Sequence, residues 1–271
     1  MSDHYYVIGN PIAHSKSPAI HAAFALQTGQ QLVYQTCLAP LDGFGATIAA
    51  LVAAGAKGAN VTVPFKLDAA ALATSLTPRA HAAGAVNTLT FANGAMAGDN
   101  TDGAGLVNDI VRNAAFPLAG KRILLLGAGG AARGVILPLL GEHPSALVIA
   151  NRTRATADAL VQRFAGQGAD LSACEFADLG APFDLIINAT SASLGGAMPP
   201  LPASVFTANT LALDMMYANK PTVFMDFAAS CGAATRDGLG MLVEQAAEAF
   251  ALWRGVRPDT TAILERVRTG V

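Results

Sequence analysis

Polar side chains that could bind a small ligand and move a proton are grouped in the first hundred residues. There are four groups: Ser15 and Ser17 in NPIAHSKSP, Asn60, Thr62 and Lys66 in NVTVPFK, Asn87 and Thr88 in AVNTL, and Asn100, Thr101 and Asp102 in GDNTDG. Each group follows or ends a predicted strand, and the ligand crevice of an open α/β sheet lies at the carboxyl ends of its strands. Hydroxyl and amide groups suit a small polyhydroxylated ligand, and serine hydroxyls near a helix start suit its carboxylate.

Lys66 and Asp102 are the members of this set that could transfer a proton. The chain has only five lysines, and Lys66 is expected one turn into a short helix that Pro64 starts. A lysine beside an aspartate forms a coupled pair that can pass a proton to a developing alkoxide. Each residue taken alone also has an ordinary explanation: Ser17 and Asp102 as helix caps, Asn87 as a turn residue and Lys66 as a surface lysine.

A glycine-rich turn stands in ILLLGAGGAARG at 123–134. Gly127, Gly129 and Ala132 fit the pattern G-x-G-x-x-[GA] between a strand and a helix, where the residues allow a tight turn, close approach to a pyrophosphate and close helix packing. The free N–H groups of the helix start would bind phosphate. The pattern predicts a dinucleotide site, and the alternative is a tight packing turn without a ligand.

The end of the next predicted strand indicates which dinucleotide binds. An NAD site usually has Asp or Glu there, and this chain has Asn151-Arg152-Thr153-Arg154 instead. Two guanidinium groups could hold a 2′-phosphate, and cations at a helix start are favourable only near an anion. The tetrapeptide therefore favours NADP over NAD, and the alternative is that the arginines only begin a solvated helix.

The elements that must position these residues alternate between strands and helices. Strands are predicted at 5–9, 32–38, 58–63, 122–126 and 146–150 and near residues 171, 185 and 211, with a hairpin of 86–91 and 94–98 around Asn93-Gly94. Helices are predicted at 17–27 with Ser17 as the cap, after Asp42 to about 54, from Thr77-Pro78, at 102–113, and at 238–253. The alternation implies parallel βαβ units.

Composition excludes several classes of protein. The 271 residues suffice for about two domains, and 52% hydrophobic with 13% charged residues excludes a disordered chain. A net charge of −2 without a basic cluster argues against nucleic acid as a partner. We expect no membrane span, signal peptide or metal site, and three scattered cysteines favour the reducing cytoplasm.

The order of the motifs strongly resembles the shikimate dehydrogenase family. The resemblance runs from Gly9 to about Gly255 and is carried by NPIAHSKSP, GANVTVPFK, GAVNTL, GDNTDG, GAGGAAR, NRT, NATS, DMMY and GLGMLVEQAAEAFALW. It implies a two-domain α/β fold, with an N-terminal open α/β substrate domain and a Rossmann-type doubly wound dinucleotide-binding domain. Residues 1–101 with the C-terminal helices of about 239–271 would form the substrate-binding and catalytic domain, and 102–238 the NADP-binding domain.

The resemblance also implies the reaction, in which NADPH reversibly reduces the ring ketone of 3-dehydroshikimate to shikimate in the biosynthesis of chorismate and the aromatic amino acids. Lys66 would donate or accept the proton with Asp102 as its partner. The substrate ligands would be Ser15 and Ser17 for the carboxylate, Thr62, Asn87, Asp102 and Gln245 for the ring hydroxyls, and Tyr217 facing the substrate. The cofactor ligands would be Gly127, Ala128, Gly129, Gly130 and Ala131 for the pyrophosphate, Asn151, Arg152, Thr153 and Arg154 for the 2′-phosphate, Thr190 and Met215 beside the cofactor, and Gly238 near the nicotinamide.

Two alternatives stay open on the sequence. One is a quinate/shikimate dehydrogenase with relaxed substrate or cofactor choice, although Ser17 fits the strict shikimate form. The other is a binding or regulatory paralogue without catalysis, although Lys66, Asp102 and Asn87 are intact. In each case we expect a small-molecule ligand and a cytoplasmic monomer or homodimer.

Overall fold

The computed structural model describes residues 2–168, 170–190, 192–218 and 220–269. The chain forms two compact units: unit 1 contains Met1–Leu106 and Leu242–Val271, and unit 2 contains Val107–Met241. The boundaries expected after residues 101 and 238 lie close to these. Over the described ranges, no helix has the length and apolar character that crossing a membrane would require.

Unit 1 is built on a mixed sheet of six strands, and its N-terminal segment also supplies five helices. The strands are β1 (Asp3–Gly9), β2 (Leu32–Leu38), β3 (Gly58–Val61), β4 (Ser75–Leu76), β5 (Thr88–Ala92) and β6 (Ala95–Asp99). The helices are α1 (Ser17–Thr28), α2 (Phe44–Ala53), α3 (Lys66–Leu72), α4 (Pro78–Ala83) and α5 (Asp102–Asn108). The strand order is β2-β1-β3-β5-β6-β4, and β5 is antiparallel to both neighbours whereas the other pairs are parallel.

The β5–β6 hairpin confirms the expected turn, because Asn93 and Gly94 both have positive φ angles, of 52° and 76°. Two positive φ angles match the right-handed twist of the strands in a two-residue hairpin. The sequence pattern did not indicate strand β4, nor that β5 also pairs with β3, which no local signal specifies.

Three helix starts differ from the predicted ones. Helix α1 has Ser17 as its first residue and Lys16 as its N-cap, which makes no side-chain cap bond, and Ser15 Oγ accepts the Ser17 backbone N–H at 3.3 Å. Helix α2 follows Gly43 and not Asp42, because the Gly43 N–H bonds the carbonyl of Pro40 and closes a turn first. Lys66 begins α3 instead of lying one turn inside it.

Unit 2 is built on a parallel sheet of six strands. The strands are β7 (Arg122–Leu126), β8 (Ala146–Ala150), β9 (Asp170–Cys174), β10 (Leu185–Asn188), β11 (Leu211–Asp214) and β12 (Ala234–Arg236). Its helices are α6 (Gly130–Gly141), α7 (Arg154–Arg163) and α8 (Val223–Ser230), with 3₁₀ turns at Phe176–Asp178, Ala192–Gly195 and Ala203–Val205. The strand order is β12-β11-β10-β7-β8-β9, so successive strands are added outward on one side of β7 and then, from β10, on its other side. This is the Rossmann arrangement. The expected α/β fold with a Rossmann-type domain is therefore confirmed.

The chain passes into unit 2 within α5 and returns to unit 1 within α9 (Leu239–Arg254), which is followed by α10 (Thr261–Thr269). A π-helical turn at Asp109–Asn113 follows α5 in place of the regular helix predicted to residue 113. The buried Asp109 carboxylate accepts two hydrogen bonds from Arg236, at 2.7 and 2.5 Å. A Cβ on Gly240 would lie 1.8 Å from this carboxylate, so glycine is required where α9 passes it.

The sheet of unit 1 buries both faces because side chains alternate along each strand. Ile8 belongs to a cluster with Phe44 of α2, whereas Tyr5 and Val7 pack with Tyr34 on the opposite face. A further cluster joins α1 to α9 and α10, and its largest members are Ile20, Phe24, Val243, Phe250 and Ile263.

His21 on α1 is a fully buried polar residue in this aromatic layer. Its ring stacks on Tyr34 with centroids 4.0 Å apart, and neither ring nitrogen has a partner in hydrogen-bonding geometry. Burial lowers the pKa of His21 to about 3, although the nearby Asn60 side chain acts in the opposite direction. The imidazole is therefore neutral throughout the physiological pH range.

The buried His21 should make the protein less stable in mild acid. The unfolded chain takes up a proton near pH 6.5 and the folded chain only near pH 3, so the stability falls as the pH drops through this window. The loss should reach about 2 kcal/mol between pH 8 and pH 5. Urea denaturation at pH 8 and pH 5 measures the difference in the free energy of unfolding. His21→Phe should lose this difference, whereas His81→Gln, at an exposed position, should keep it. An unchanged difference in His21→Phe would contradict the assignment.

Candidate active site

Lys66 and Asp102 form an ion pair in unit 1, as the sequence predicted they could. Lys66 Nζ lies 2.5 Å from Asp102 Oδ2, and the two side chains are only 17% and 7% exposed. Lys66 starts α3 after the loop that follows β3, and Asp102 starts α5 after β6. The starts of two helices thus hold the pair at a position that is mostly buried but still partly exposed to water. Such a position suits proton transfer to a bound ligand.

Asn87 is the centre of the hydrogen-bond network around this pair. Its Nδ2 donates to Asp102 Oδ1 at 2.8 Å and approaches Thr101 Oγ1 at 2.9 Å and Gln245 Oε1 at 3.3 Å. Its Oδ1 accepts from the Thr101 N–H at 2.8 Å and from Thr88 Oγ1 at 2.9 Å. Asp102 therefore has a cation on one oxygen and an amide on the other.

Gln245 joins this network from α9, more than 140 residues further along the chain. A Cβ on Gly105 would lie 2.6 Å from the Cβ of Gln245 and 2.7 Å from its backbone nitrogen. The absence of a side chain at Gly105 therefore lets α9 pack directly on α5. The same contact brings the Gln245 amide to Asn87 and Thr101.

The remaining predicted substrate residues of unit 1 lie on neighbouring loops. Ser15 is half-buried on the loop that leads from β1 into α1, and the buried Ser17 is the first residue of α1. Thr62 follows β3 and bonds the Ile8 carbonyl through its N–H at 2.9 Å. A Cβ on Gly9 would lie 2.5 Å from Thr62 Cγ2, so the ends of β1 and β3 are in contact. The structure thus places the serine and threonine hydroxyls at the same end of the sheet.

The glycine turn of unit 2 has room for a ligand beside it. Gly127 has a φ of 99°, which glycine adopts without strain, and it therefore closes the turn after β7. Gly129 and Gly130 have no such requirement, and a Cβ on either would meet nothing within 4 Å. The chain itself gives no reason for glycine there, whereas a pyrophosphate lying against the Ala128–Ala131 backbone does. These residues fit a dinucleotide.

Of the predicted residues after β10 and β11, Thr190 lies against this turn. Thr190 Cγ2 would lie 3.1 Å from a Cβ on Gly127, which places Thr190 at the point where the strand order reverses. A Cβ on Gly238 would lie 2.1 Å from the Met215 carbonyl oxygen, so these two residues are in backbone contact. Tyr217 follows on the same loop and is half-buried, and burial raises the pKa of its hydroxyl, which stays protonated and can donate.

Asn151, Arg152, Thr153 and Arg154 connect β8 to α7. Asn151 Nδ2 donates to the Thr153 carbonyl at 2.9 Å, which closes the turn and leaves both guanidinium groups exposed. Arg154 lies 3.7 Å from Asp158 and from Asp178, and such exposed pairs contribute little binding energy. The two arginines are thus available to an anion at the helix start.

Comparison with known proteins relates each part of this site to one family. Residues 7–89 match the model described as the shikimate dehydrogenase substrate binding domain, 109–196 match shikimate / quinate 5-dehydrogenase, and 238–268 match the shikimate 5′-dehydrogenase C-terminal domain. A protein of Herminiimonas arsenicoxydans named shikimate dehydrogenase (NADP(+)) is 64% identical over 99% of this chain and 98% of its own. The chain belongs to the shikimate dehydrogenase family.

Solved structures support the same membership. The Ael1 enzyme from Pseudomonas putida has a TM-score of 0.93 at 48% identity, and each chain is covered to 98%. Shikimate 5-dehydrogenase from Thermus thermophilus, in complex with NADP(H) and shikimate, has a TM-score of 0.88 at 33% identity over 99% of this chain and 100% of its own. The resemblance to shikimate dehydrogenases stated from the motifs is therefore confirmed.

Asn188 and Asp214 are buried polar residues that sequence reasoning did not assign, although they stand in the motifs NATS and DMMY. Asn188 Oδ1 accepts from Thr190 Oγ1 at 2.7 Å, and Asn188 Nδ2 donates to Asp214 at 3.2 Å. Asp214 also accepts from Thr222 Oγ1 at 2.7 Å and from the Met216 N–H at 3.0 Å. These hydrogen bonds link the loops that carry Thr190 and Met215. The sequence signal that could have identified Asn188 and Asp214 is that each is a polar residue at the end of an apolar strand.

Gly129→Ala should weaken NADP binding without loosening the fold. The new methyl group points into open space on unstrained backbone, so the free energy of unfolding should change by less than about 1 kcal/mol. The same methyl group would stand where the pyrophosphate approaches, and the KM for NADP should rise at least about tenfold. Gly141→Ala, at the far end of α6 and equally unhindered, should leave the KM unchanged. Equal KM values in the two variants would exclude this role for Gly129.

Proposed function

We propose that the chain catalyses the reversible NADP-dependent oxidation of shikimate to 3-dehydroshikimate. The Lys66–Asp102 pair, set in a buried network of amides and hydroxyls, is the observation that carries this assignment. The name of the Herminiimonas relative, shikimate dehydrogenase (NADP(+)), supports the same substrate and cofactor. The chain is accordingly an oxidoreductase of the CH–OH group that serves the shikimate route to chorismate and the aromatic amino acids.

Lys66 handles the proton in this reaction. During reduction, negative charge grows on the former ketone oxygen, and an ammonium group within hydrogen-bond reach stabilises it and supplies the proton. During oxidation, Lys66 receives the hydroxyl proton. Asp102 orients Lys66 through the 2.5 Å contact, and Asn87 orients Asp102 from the other side.

The other residues of unit 1 hold the substrate. Ser15 and Ser17 are the proposed donors to its carboxylate, since both hydroxyls lie at the start of α1. Thr62, Asn87 and Gln245 are the proposed partners of the ring hydroxyls, together with Asp102. Tyr217 is also proposed to face the substrate, since burial raises the pKa of its hydroxyl, which keeps its proton.

NADP(H) supplies or accepts the hydride when it is bound. Gly127, Ala128, Gly129, Gly130 and Ala131 would hold its pyrophosphate, and Asn151, Arg152, Thr153 and Arg154 its 2′-phosphate. Thr190, Met215 and Gly238 would line the rest of its site. The monomer or homodimer and the cytoplasmic location stay predictions.

The wild-type protein should oxidise shikimate with NADP faster than quinate with NADP, and faster than either substrate with NAD. Arg152→Ala should raise the KM for NADP by about tenfold or more and leave that for NAD unchanged, because it removes a charge-assisted contact to the 2′-phosphate alone. Arg163→Ala, at the other end of α7, is the control. Initial rates at the nicotinamide absorbance band test this, and equal rates with quinate would favour the relaxed quinate/shikimate enzyme.

Lys66→Ala should lower kcat by about 10² to 10⁴, the usual contribution of a positioned acid–base group. The KM for NADP should change little, because Lys66 lies outside the glycine turn of unit 2. Lys57→Ala removes an exposed lysine of the same unit and should retain full activity. Normal turnover by Lys66→Ala would remove Lys66 from the mechanism.

A further inference from the structure

A chain of hydrogen bonds runs from a buried tyrosine to the catalytic pair, and every donor in it points the same way. Tyr34 Oη donates to Asn60 Oδ1 at 2.7 Å, and Asn60 Nδ2 donates to Thr88 Oγ1 at 3.0 Å. Thr88 Oγ1 donates to Asn87 Oδ1 at 2.9 Å, and Asn87 Nδ2 donates to Asp102 Oδ1 at 2.8 Å. The chain crosses from β2 through β3 to β5 and ends on the partner of Lys66.

The direction of this chain depends on its first member. Burial raises the pKa of Tyr34 well above its usual value, although the Ser17 side chain opposes the rise, so the hydroxyl is a permanent donor. The Asn60 amide therefore turns its oxygen to Tyr34 and its nitrogen to Thr88 Oγ1 at 3.0 Å and to the Asn87 carbonyl at 3.2 Å. Thr88 has a single proton, and Asn87 Oδ1 at 2.9 Å is a closer acceptor for it than Thr101 Oγ1 at 3.4 Å. Asn87 then has its nitrogen free for Asp102.

The Tyr34 ring is held in place by its stacking on His21. Its ring stacks on the neutral His21 ring with an interplanar angle of 5°, and its side chain is buried. An uncharged, unpartnered imidazole offers the Tyr34 hydroxyl no competing acceptor in hydrogen-bonding geometry. Asn60 Oδ1 is thus the acceptor that fixes where the Tyr34 proton points.

We propose that Tyr34 is a positioning residue of the substrate site. Its hydroxyl helps to set the orientation of the Asn60 amide and, through Thr88, the orientation of the Asn87 amide. The Asn87 amide in turn contacts Asp102 and would contact the ring hydroxyls of the substrate. This inference rests on the proposed function, because it assigns the Asn87 amide to the shikimate ring. Asn87 is also oriented by the Thr101 N–H. Loss of the tyrosine hydroxyl therefore weakens the arrangement without abolishing it.

Tyr34→Phe is the variant that tests the inference, because it keeps the stacked ring and leaves the buried Asn60 oxygen without its donor. An unsatisfied buried acceptor costs about 1–3 kcal/mol, and part of that cost should appear as a rise of about fivefold in the KM for shikimate. The KM for NADP should not change. Tyr5→Phe is the matched control, since Tyr5 is an equally buried tyrosine of unit 1 whose hydroxyl bonds Arg254 and not this chain.

A second pair of variants interrupts the chain at its middle. Thr88→Val removes the relaying hydroxyl and should raise the KM for shikimate as Tyr34→Phe does, whereas Thr88→Ser keeps the hydroxyl and should behave as the wild type. The double variant Tyr34→Phe/Thr88→Val should be little worse than either single variant, because both break one chain. Thr88→Val and Thr88→Ser therefore test the inference even if Tyr34→Phe fails to fold.

The outcomes separate the inference from the function on which it rests. Equal effects of Tyr34→Phe and Tyr5→Phe, full additivity in the double variant, or a fall in kcat with both KM values unchanged would overturn the role of Tyr34 while leaving the enzyme assignment intact. A wild-type protein without shikimate turnover would overturn the proposed function itself.

Discussion

The site depends on keeping the Asp102 carboxylate charged at a position where little water reaches it. Removing a carboxylate from water costs several kcal/mol unless a cation and hydrogen bonds replace the solvent. Lys66 satisfies one oxygen and Asn87 the other, and the Thr101, Gln245 and Thr88 side chains hold Asn87 in turn. The start of β5, the residues after β6, the starts of α3 and α5 and the middle of α9 therefore all converge on this point.

Close backbone approach is the second constraint, and glycines serve two different purposes under it. Gly105 and Gly240 have neighbours so near that a methyl group would overlap them, and they let α9 pack against α5 and the π-helical turn. Gly129 and Gly130 face open space. The first kind supports the fold in which Gln245 meets Asn87, and the second kind leaves the open space in which the proposed pyrophosphate would lie.

Much of this arrangement could be predicted because local signals specify it. The turn at Asn93-Gly94, the glycine turn after β7 and the Thr77 cap of α4 each follow from the conformational preferences of a few adjacent residues. The start of α1 was predicted less well, since Lys16 and not Ser17 is its N-cap and makes no side-chain cap bond. The π-helical turn after α5 was not predicted either, and the Asp109–Arg236 pair at its first residue joins positions that are far apart in sequence.

The amino-acid sequence by itself determined the strand and helix alternation, the dinucleotide-type turn, the absence of an acidic residue after β8 and the set of polar groups at strand ends, because each is written in the types and spacing of neighbouring residues. Only the tertiary structure decided that β5 pairs antiparallel with β3, that Gln245 reaches Asn87, and that Tyr34 stands at the head of a directed hydrogen-bond chain. These contacts join distant segments, and their partners are selected by the free energy of burying many groups at once, which no local stretch of sequence contains.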